Sequence, residues 1–372
     1  MMFSVIGDAE TKSFGEAIAA SDWRWFLVTI AVLLVILFSD WMKYATIMRT
    51  TTGKFYLRSS LKVSLLGKFY DNVTPFAAGG QPMQIYYLHK KGFSGGISSA
   101  VVLIRYFAQM FCLTLIGLIL MATHTGVLTN LGDPAWEKTI MIAAWIGLAF
   151  NMFLPVMIGI FAVFPRLAKF LTSAVVGLGA KVKIVKDKEK SMQKAEKIVN
   201  DFRSGVKIMS RNPLGFIALM LFTLIEVFLT FALPFFVLKT FTALDAGSGI
   251  DMMFAVMALN VYASQSVAVI PSPGNSGAME VVVAKAFSAV ASTAVISWAV
   301  LTWRFTVYYI YIIIGIGLTV FEFIRKIYRD QKAKKLLREQ EAEALYKSDA
   351  DRKRRKLKIL KKKKRNKKRA RL

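Results

Sequence analysis

Few side chains in this 372-residue chain could do chemistry, and most stand in apolar surroundings. Arg105 and Arg304 each lie roughly a third of the way into a long apolar run, and Glu226 lies near the centre of another. A charge held at that depth in hydrocarbon costs about 3 kcal/mol or more unless paired, so such side chains should face the protein interior or a water-filled cavity. Arginine's planar fork suits a phosphate, so one reading has Arg105 and Arg304 bind a lipid phosphate. The other has each tie down a neighbouring loop through its carbonyls or a carboxylate. Glu226 could pair with Arg304 or Arg105, bind a cationic headgroup or carry a coupling proton, a structural pair being the foremost. Glu280 opens a helix, where a carboxylate gains a favourable dipole and capping contact.

Other chemistries find no residues to carry them. The two histidines, His89 and His124, are far apart, and no His/Cys/Asp/Glu group has metal-ligand spacing. Neither a Walker loop nor a Gly-x-Ser-x-Gly elbow occurs. The expectation is a protein that is not an enzyme and uses no metal or cofactor. The single cysteine, Cys112, excludes an intrachain disulfide and reads as a small core residue.

The elements that must position these residues are two Pro/Gly breaks between apolar runs. Residues 72–84 read Asn72-Val-Thr74-Pro75-Phe-Ala-Ala-Gly79-Gly80-Gln81-Pro-Met-Gln84, and 271–280 read Pro271-Ser-Pro273-Gly274-Asn275-Ser276-Gly277-Ala-Met-Glu280. Proline removes a backbone donor and glycine weakens a helix, so neither stretch is the middle of an ordinary span. Lipid tolerates broken backbone only where protein or a cavity covers it. Paired breaks in two halves of a chain point to a transporter's binding site. The halves align as Thr74-Pro75 with Ile270-Pro271, Gly79-Gly80 with Gly274 and Gly277, Met83-Gln84 with Met279-Glu280, and Arg105 with Arg304. Half-helices starting near Gln81 and Gly277 would offer free N–H groups to an anionic headgroup. Gln81, Gln84, Asn72, Asn275 and Ser276 could add neutral hydrogen bonds. Asp71 reads as a turn residue, and Tyr86, Tyr87, Tyr308 and Tyr309 as packing or interface aromatics.

Apolar residues make up 55% of the chain, too many for an ordinary soluble domain, so the expected fold is an all-α polytopic membrane bundle. Full spans are expected over Phe26–Phe38, about 97–121, 138–164, 214–238 and 294–323. The net charge of +27 is concentrated in loops and tail, where the excess of Lys/Arg on cytoplasmic loops explains it first. On that rule Lys43, Arg49, Lys54, Arg58, Lys62 and Lys68 mark a cytoplasmic exit from the first span. It also places 89–91 inside and 124–136 outside. The first break then becomes a re-entrant hairpin from the cytoplasmic side, and the second one from outside. The competing reading makes each hairpin two full spans, for which pieces of about 11–17 residues fall short of the roughly 20 required. The resulting organisation is an external segment 1–22, a transmembrane domain 23–325 with a basic amphipathic loop 166–212, and a basic cytoplasmic tail 326–372. That tail should rest on anionic lipid, at about 1 kcal/mol per charge near the surface. Nucleic acid is the minor partner option, and a homo-oligomer is left open.

In these motifs the chain resembles the lysylphosphatidylglycerol synthase transmembrane region, or flippase-like, family of bacteria. The resembling residues are Gly67 to Pro75, Gly79 to Gln84, Arg105, Pro271 to Glu280 and Arg304, within about 16–325. The resemblance implies movement of aminoacylated or other phospholipids between leaflets of a cell membrane. Two departures are expected. One further span usual before the segment matching Gly15–Trp25 is missing, and so is the soluble aminoacyl-transferase domain. The functional expectation is therefore a phospholipid translocator, with two inverted repeats whose breaks face each other near the membrane midplane. A scaffold recruiting partners through its basic loop and tail is the alternative, and it requires neither broken helices nor midplane arginines.

Overall fold

The computed structural model of the chain describes residues 13–164, 187–242 and 249–332, with a few positions between and beyond these. Asp8, Glu10, the middle of the 166–212 loop, Asp245 and the tail from 337 onward lie outside the described residues. The chain divides into two units at Ile314 and Gly315. The second is helical over its described residues, with Phe321, Phe323 and Tyr328 exposed along it.

The first unit begins with a one-turn helix, α1 (Phe14–Ala19), closed by a Ser13–Glu16 capping box. Helix α2 (Trp23–Thr52) is capped by Asp22 and ends at Gly53, whose φ of 75° admits the left-handed stop. Then follow α3 (Leu57–Val73), α4 (Gly80–Lys90), α5 (Gly95–Thr123), a 3₁₀ segment (Thr125–Leu131) and α6 (Pro134–Val163). Next come α7 (Lys188–Ser210), α8 (Pro213–Thr240), α9 (Ile250–Ser266), α10 (Ala278–Phe287) and α11 (Thr293–Arg304), with a π-turn over Phe305–Tyr309. Among the described residues, five helical stretches are long and apolar enough to cross a membrane: Trp23–Thr52, Gly95–Thr123, Pro134–Met157, Pro213–Thr240 and Ala294–Leu336. They overlap the five spans expected from hydropathy and contain four of them, the third stretch stopping at Met157 short of the expected 164, while α2 runs fourteen residues beyond Phe38. Large apolar side chains such as Leu27, Leu34, Ile146, Phe153 and Ile217 stay exposed. On a soluble protein such a surface would aggregate, whereas lipid tails are as apolar as leucine.

The frame is the antiparallel pair α2–α8. At one end Asp22 N–H donates to the Thr240 carbonyl at 2.8 Å, and Trp25 stacks on Phe236 at 6.3 Å. Further along, Phe38 meets Phe222 at 6.2 Å, and at the far end Gly215 lies against Thr50. Two helix–break–helix hairpins pack on this frame. The start and finish of α3–α4 lie together, since Tyr56 meets Phe93 edge-on at 5.0 Å beside the end of α2. The start and finish of α9–α10 also lie together, joined by an isolated bridge between Leu244 and Ala291, just after the end of α8. The two hairpins thus enter from opposite ends of the pair. Their tips touch through a second isolated antiparallel bridge, Pro75 to Pro273.

One apolar core lies around α8, α9 and α10, with Leu233, Tyr262, Val283 and Phe287 buried; the Tyr262 hydroxyl donates to the Met121 carbonyl at 2.7 Å. A second lies under the first hairpin, with Tyr44, Met48, Val63 and Leu88. Cys112 is buried in the first core, as a small core residue should be. The amphipathic α7 packs on α5, with Gly205 against Ala100 and Met209 buried. Helix α6 is seated on α9 through Asn151, which donates to Gln265 Oε1 at 2.7 Å, and through Gly147, which faces the Gln265 carbonyl. A Cβ at Gly147 would overlap that backbone oxygen, which cannot swing aside as a flexible side chain could. Gly147→Val should therefore cost about 3 kcal/mol through overpacking. The check is the unfolding midpoint in detergent against Gly126→Val, whose Cβ meets open space.

Candidate functional site

Two charged clusters flank the meeting breaks. The first is assembled from four helices. On α2, Asp40 and Lys43 are one turn apart at 3.0 Å, both buried. Arg105 of α5 donates to Asp40 Oδ1 at 2.8 Å, and Ser64 of α3 donates to Asp40 Oδ2. Lys43 also donates to Glu226 of α8 and, at 2.5 Å, to Gln109 of α5. Lys68 of α3 reaches the other Glu226 oxygen at 3.1 Å and lies 5.9 Å from the Tyr311 ring. Glu226 is halfway along α8, about 20 Å from either helix end, so the cluster sits at the middle of the bundle.

This arrangement corrects two sequence expectations. Glu226 pairs with Lys43 and Lys68, not with an arginine. Lys43 and Lys68 are not loop cations marking a membrane exit; they lie inside helices, and Lys43 is fully buried. The physical reason is the continuation of α2 to Thr52, which keeps Lys43 at cluster depth. Sequence reading missed Asp40, Lys43 and Lys68. The available signal was the Asp40–Lys43 spacing on one helix face directly after an apolar run.

The ion-paired groups of the cluster are three cations, Lys43, Lys68 and Arg105, and two carboxylates, Asp40 and Glu226, with the Asp71 carboxylate within electrostatic reach of Arg105 and Lys68. Arg105 Nε is buried without a hydrogen-bond partner among the described residues, and the guanidinium lies 5.4 Å from the Tyr44 ring. Lys68 is the least buried of the ion-paired side chains, at 28% exposure. A guanidinium with an unused donor is suited to taking up a further anionic acceptor.

The second cluster is self-contained. Arg304 Nε donates to Glu280 Oε1 at 2.7 Å, while its Nη2 donates to the Gly274 carbonyl at 3.0 Å and to Ser276 Oγ at 3.2 Å. The other Glu280 oxygen accepts the Gly277 N–H at 2.6 Å, and the Tyr308 ring lies 4.6 Å from the guanidinium. Arg304 thus makes the loop-bracing contacts of the second sequence reading.

The breaks themselves share a backbone. Pro75 is followed by Phe76 and Ala77 at φ 57° and 50°, and Pro273 by Gly274 and Asn275 at 56° and 54°. That equivalence aligns Thr74-Pro75 with Ser272-Pro273, two residues beyond the register expected from sequence. The half-helix N-termini are not open as expected. Gly80 N–H donates to Asp71 Oδ1 and Gly79 N–H to Thr74 Oγ1, both at 2.9 Å, and Gly277 N–H is held by Glu280. A carboxylate already neutralises each dipole end, and Asp71 caps a helix across the break rather than serving only its own turn. Asn72 donates to the Tyr308 carbonyl at 3.2 Å, bridging from the first hairpin to the π-turn. Gln84 donates to the Tyr44 hydroxyl at 2.6 Å and the Val63 carbonyl at 3.0 Å, a packing role. Gln81 and Asn275 are half-buried at the breaks, and Pro271 is exposed.

A protein-family model described as the lysylphosphatidylglycerol synthase TM region matches residues 1–315. A curated relative, a "UPF0104 membrane protein" of Archaeoglobus fulgidus, is 28% identical over 306 residues, covering 78% of this chain and 85% of the relative. No solved structure matches the chain. The family match spans every span-length helix of the first unit, both breaks and both charged clusters, and on that match the chain belongs to the lysylphosphatidylglycerol synthase transmembrane-region family.

Proposed function

We propose that this protein moves phospholipid headgroups between membrane leaflets, through two opposed re-entrant hairpins related as inverted repeats. The observation that carries this reading is the tip contact Pro75–Pro273 between hairpins entering from opposite ends of the α2–α8 pair. Helices α3 and α4 have 17 and 11 residues, and α9 and α10 have 17 and 10, all short of the roughly 20 needed to span. Backbone broken at such depth persists only where protein or a cavity covers it, and transporters use that arrangement to hold substrate. The membership in a lipid-associated family supports the same direction.

Within this reading the first cluster receives the phosphate, because it gathers three cations and has the unused Arg105 Nε and partial access at Lys68. Arg304 and Glu280 hold the second break in shape. The basic residues at the α2–α3 end support a cytoplasmic location for that end.

The test locks the tips together. Residues opposed in an antiparallel bridge are about 4.5–5.5 Å apart at Cα, within disulfide range. Pro75→Cys/Pro273→Cys, reconstituted in liposomes with headgroup-labelled phosphatidylglycerol, should translocate at least tenfold more slowly when oxidised and recover on reduction. Cys112 is buried and should not compete. Undiminished translocation by the oxidised variant would remove the tip contact from the mechanism. No translocation by the unmodified protein across a panel of phospholipids would favour the scaffold.

A further inference from the structure

A cavity of about 600 Å³ opens at the opposite end of α2 from its Asp22 cap, between the last turn of α2 and the first turns of α8. Its mouth lies away from the charged clusters, since Glu226 is thirteen residues along α8 from Pro213, about 20 Å, while its inner end at Phe222 stops one turn short of Glu226. Its lining has two chemically distinct parts. At the mouth is Arg49, exposed, with its guanidinium 4.5 Å from the Phe55 ring, so that the fork is oriented rather than loose. Beside it are Thr50 and the start of α8, where Asn212 already caps the Gly215 N–H at 2.8 Å. The chain stretch 49–62, which lines this mouth from Arg49 to Phe55, carries Arg49, Lys54, Arg58 and Lys62 and no acidic residue.

Below the mouth the lining turns apolar. Leu214, Ala218 and Phe222 recur at four-residue spacing on one face of α8, with Met42 facing them from α2. They form a furrow about 12 Å long, parallel to the helix axes. Leu214 is 79% exposed directly beside the cationic mouth. A soluble anion would have no use for the furrow, and a purely apolar ligand none for the arginine. An oriented cation above an apolar track along a membrane-spanning helix pair matches one ligand shape, a phosphate headgroup with an acyl chain beneath it.

We propose that the α2–α8 furrow is a binding site for an anionic phospholipid, separate from the path between the breaks. The bound lipid lies along the seam of the two frame helices, with its phosphate on Arg49 and one chain against Leu214, Ala218 and Phe222. Because the site is defined by binding, it stands or falls independently of translocation.

The experiment uses the whole protein purified in dodecylmaltoside, with lipid retention counted by native mass spectrometry and the unfolding midpoint recorded beside it. Phosphatidylglycerol should be retained and raise the midpoint, while phosphatidylcholine and inorganic phosphate should do neither. Arg49→Ala should weaken phosphatidylglycerol retention about tenfold, and Arg49→Lys should recover only part of it, since a point charge lacks the fork. Leu214→Asn, at an exposed position that leaves folding intact, should weaken retention while keeping every charge. Lys138→Ala, a charge-matched change at an exposed site elsewhere, should behave as the unaltered protein. Equal retention of phosphatidylcholine, an equal midpoint shift with inorganic phosphate, or full retention by Arg49→Ala would each overturn the proposal.

Discussion

Glu226→Ala is expected to cost about 3–5 kcal/mol of stability, more than any other single substitution in the two charged clusters. Glu226 is fully buried and accepts from both Lys43 and Lys68. Its removal leaves three cations facing one carboxylate, with Lys43 still at 0% exposure. Forming a buried ion pair recovers little beyond its desolvation cost, but removing Glu226 leaves Lys43, away from water, to share Asp40 with Arg105. Glu226→Gln keeps the shape and one acceptor and should lose less. The double variant Lys43→Met/Glu226→Leu removes one charge of each sign and should be more stable than Glu226→Ala alone. The measurement is a double-mutant cycle on unfolding midpoints in detergent, which isolates the pair from the rest of the network. A midpoint for Glu226→Ala indistinguishable from the starting protein would show that the lysines find other partners and that the cluster does not brace the four helices.

Arg304→Ala is expected to lower the unfolding midpoint and stop lipid movement together, with a stability cost of about 3 kcal/mol. Its guanidinium joins Glu280, the Gly274 carbonyl and Ser276 across the second break, so alanine frees a buried carboxylate and the loop at once. Arg304→Lys should rescue poorly, because an ammonium cannot hold three acceptors in one plane. Arg105→Ala supplies the contrast. Arg105 has one carboxylate partner and an unused Nε. Its loss also brings the first cluster to two cations and two carboxylates. Arg105→Ala should therefore abolish translocation at a smaller cost in stability. Equal destabilisation by both alanine variants would assign both arginines to bracing. Normal transport by Arg304→Ala would mean that the second break keeps its shape without the arginine.

How much of the molecule is legible in its sequence depends on how far each feature is set by local residues. The five spans are legible because apolar runs such as 214–238 and 97–121 need no partner to declare themselves. The breaks are legible because proline and glycine act on their own backbone, whatever surrounds them. The likeness of the two breaks is legible only in outline. Its register is fixed by left-handed residues after Pro75 and Pro273, and neither Phe76 nor Ala77 belongs to a type that announces a positive φ. The first cluster is largely hidden. Lysines in a loop and lysines ion-paired inside the bundle are written with the same letter, and only the fold tells Lys43 and Lys68 from Lys54. Arg304 and Glu280 both stand out in the sequence, but the contact between them, over 24 residues, depends on how the second break folds back.

The distance along the chain between the lysines and Glu226 also sets an order of events during biosynthesis. Lys43 precedes Glu226 by 183 residues and Lys68 by 158. At roughly 5–20 residues per second, about ten to thirty seconds pass between emergence of Lys68 and emergence of the carboxylate that will neutralise it. During that interval α2 and the first hairpin cannot occupy their final places in hydrocarbon with their charges intact. The half-made protein must wait in a wet or protein-lined environment at the insertion machinery. The arrival of α8 is then the step that completes the four-helix cluster.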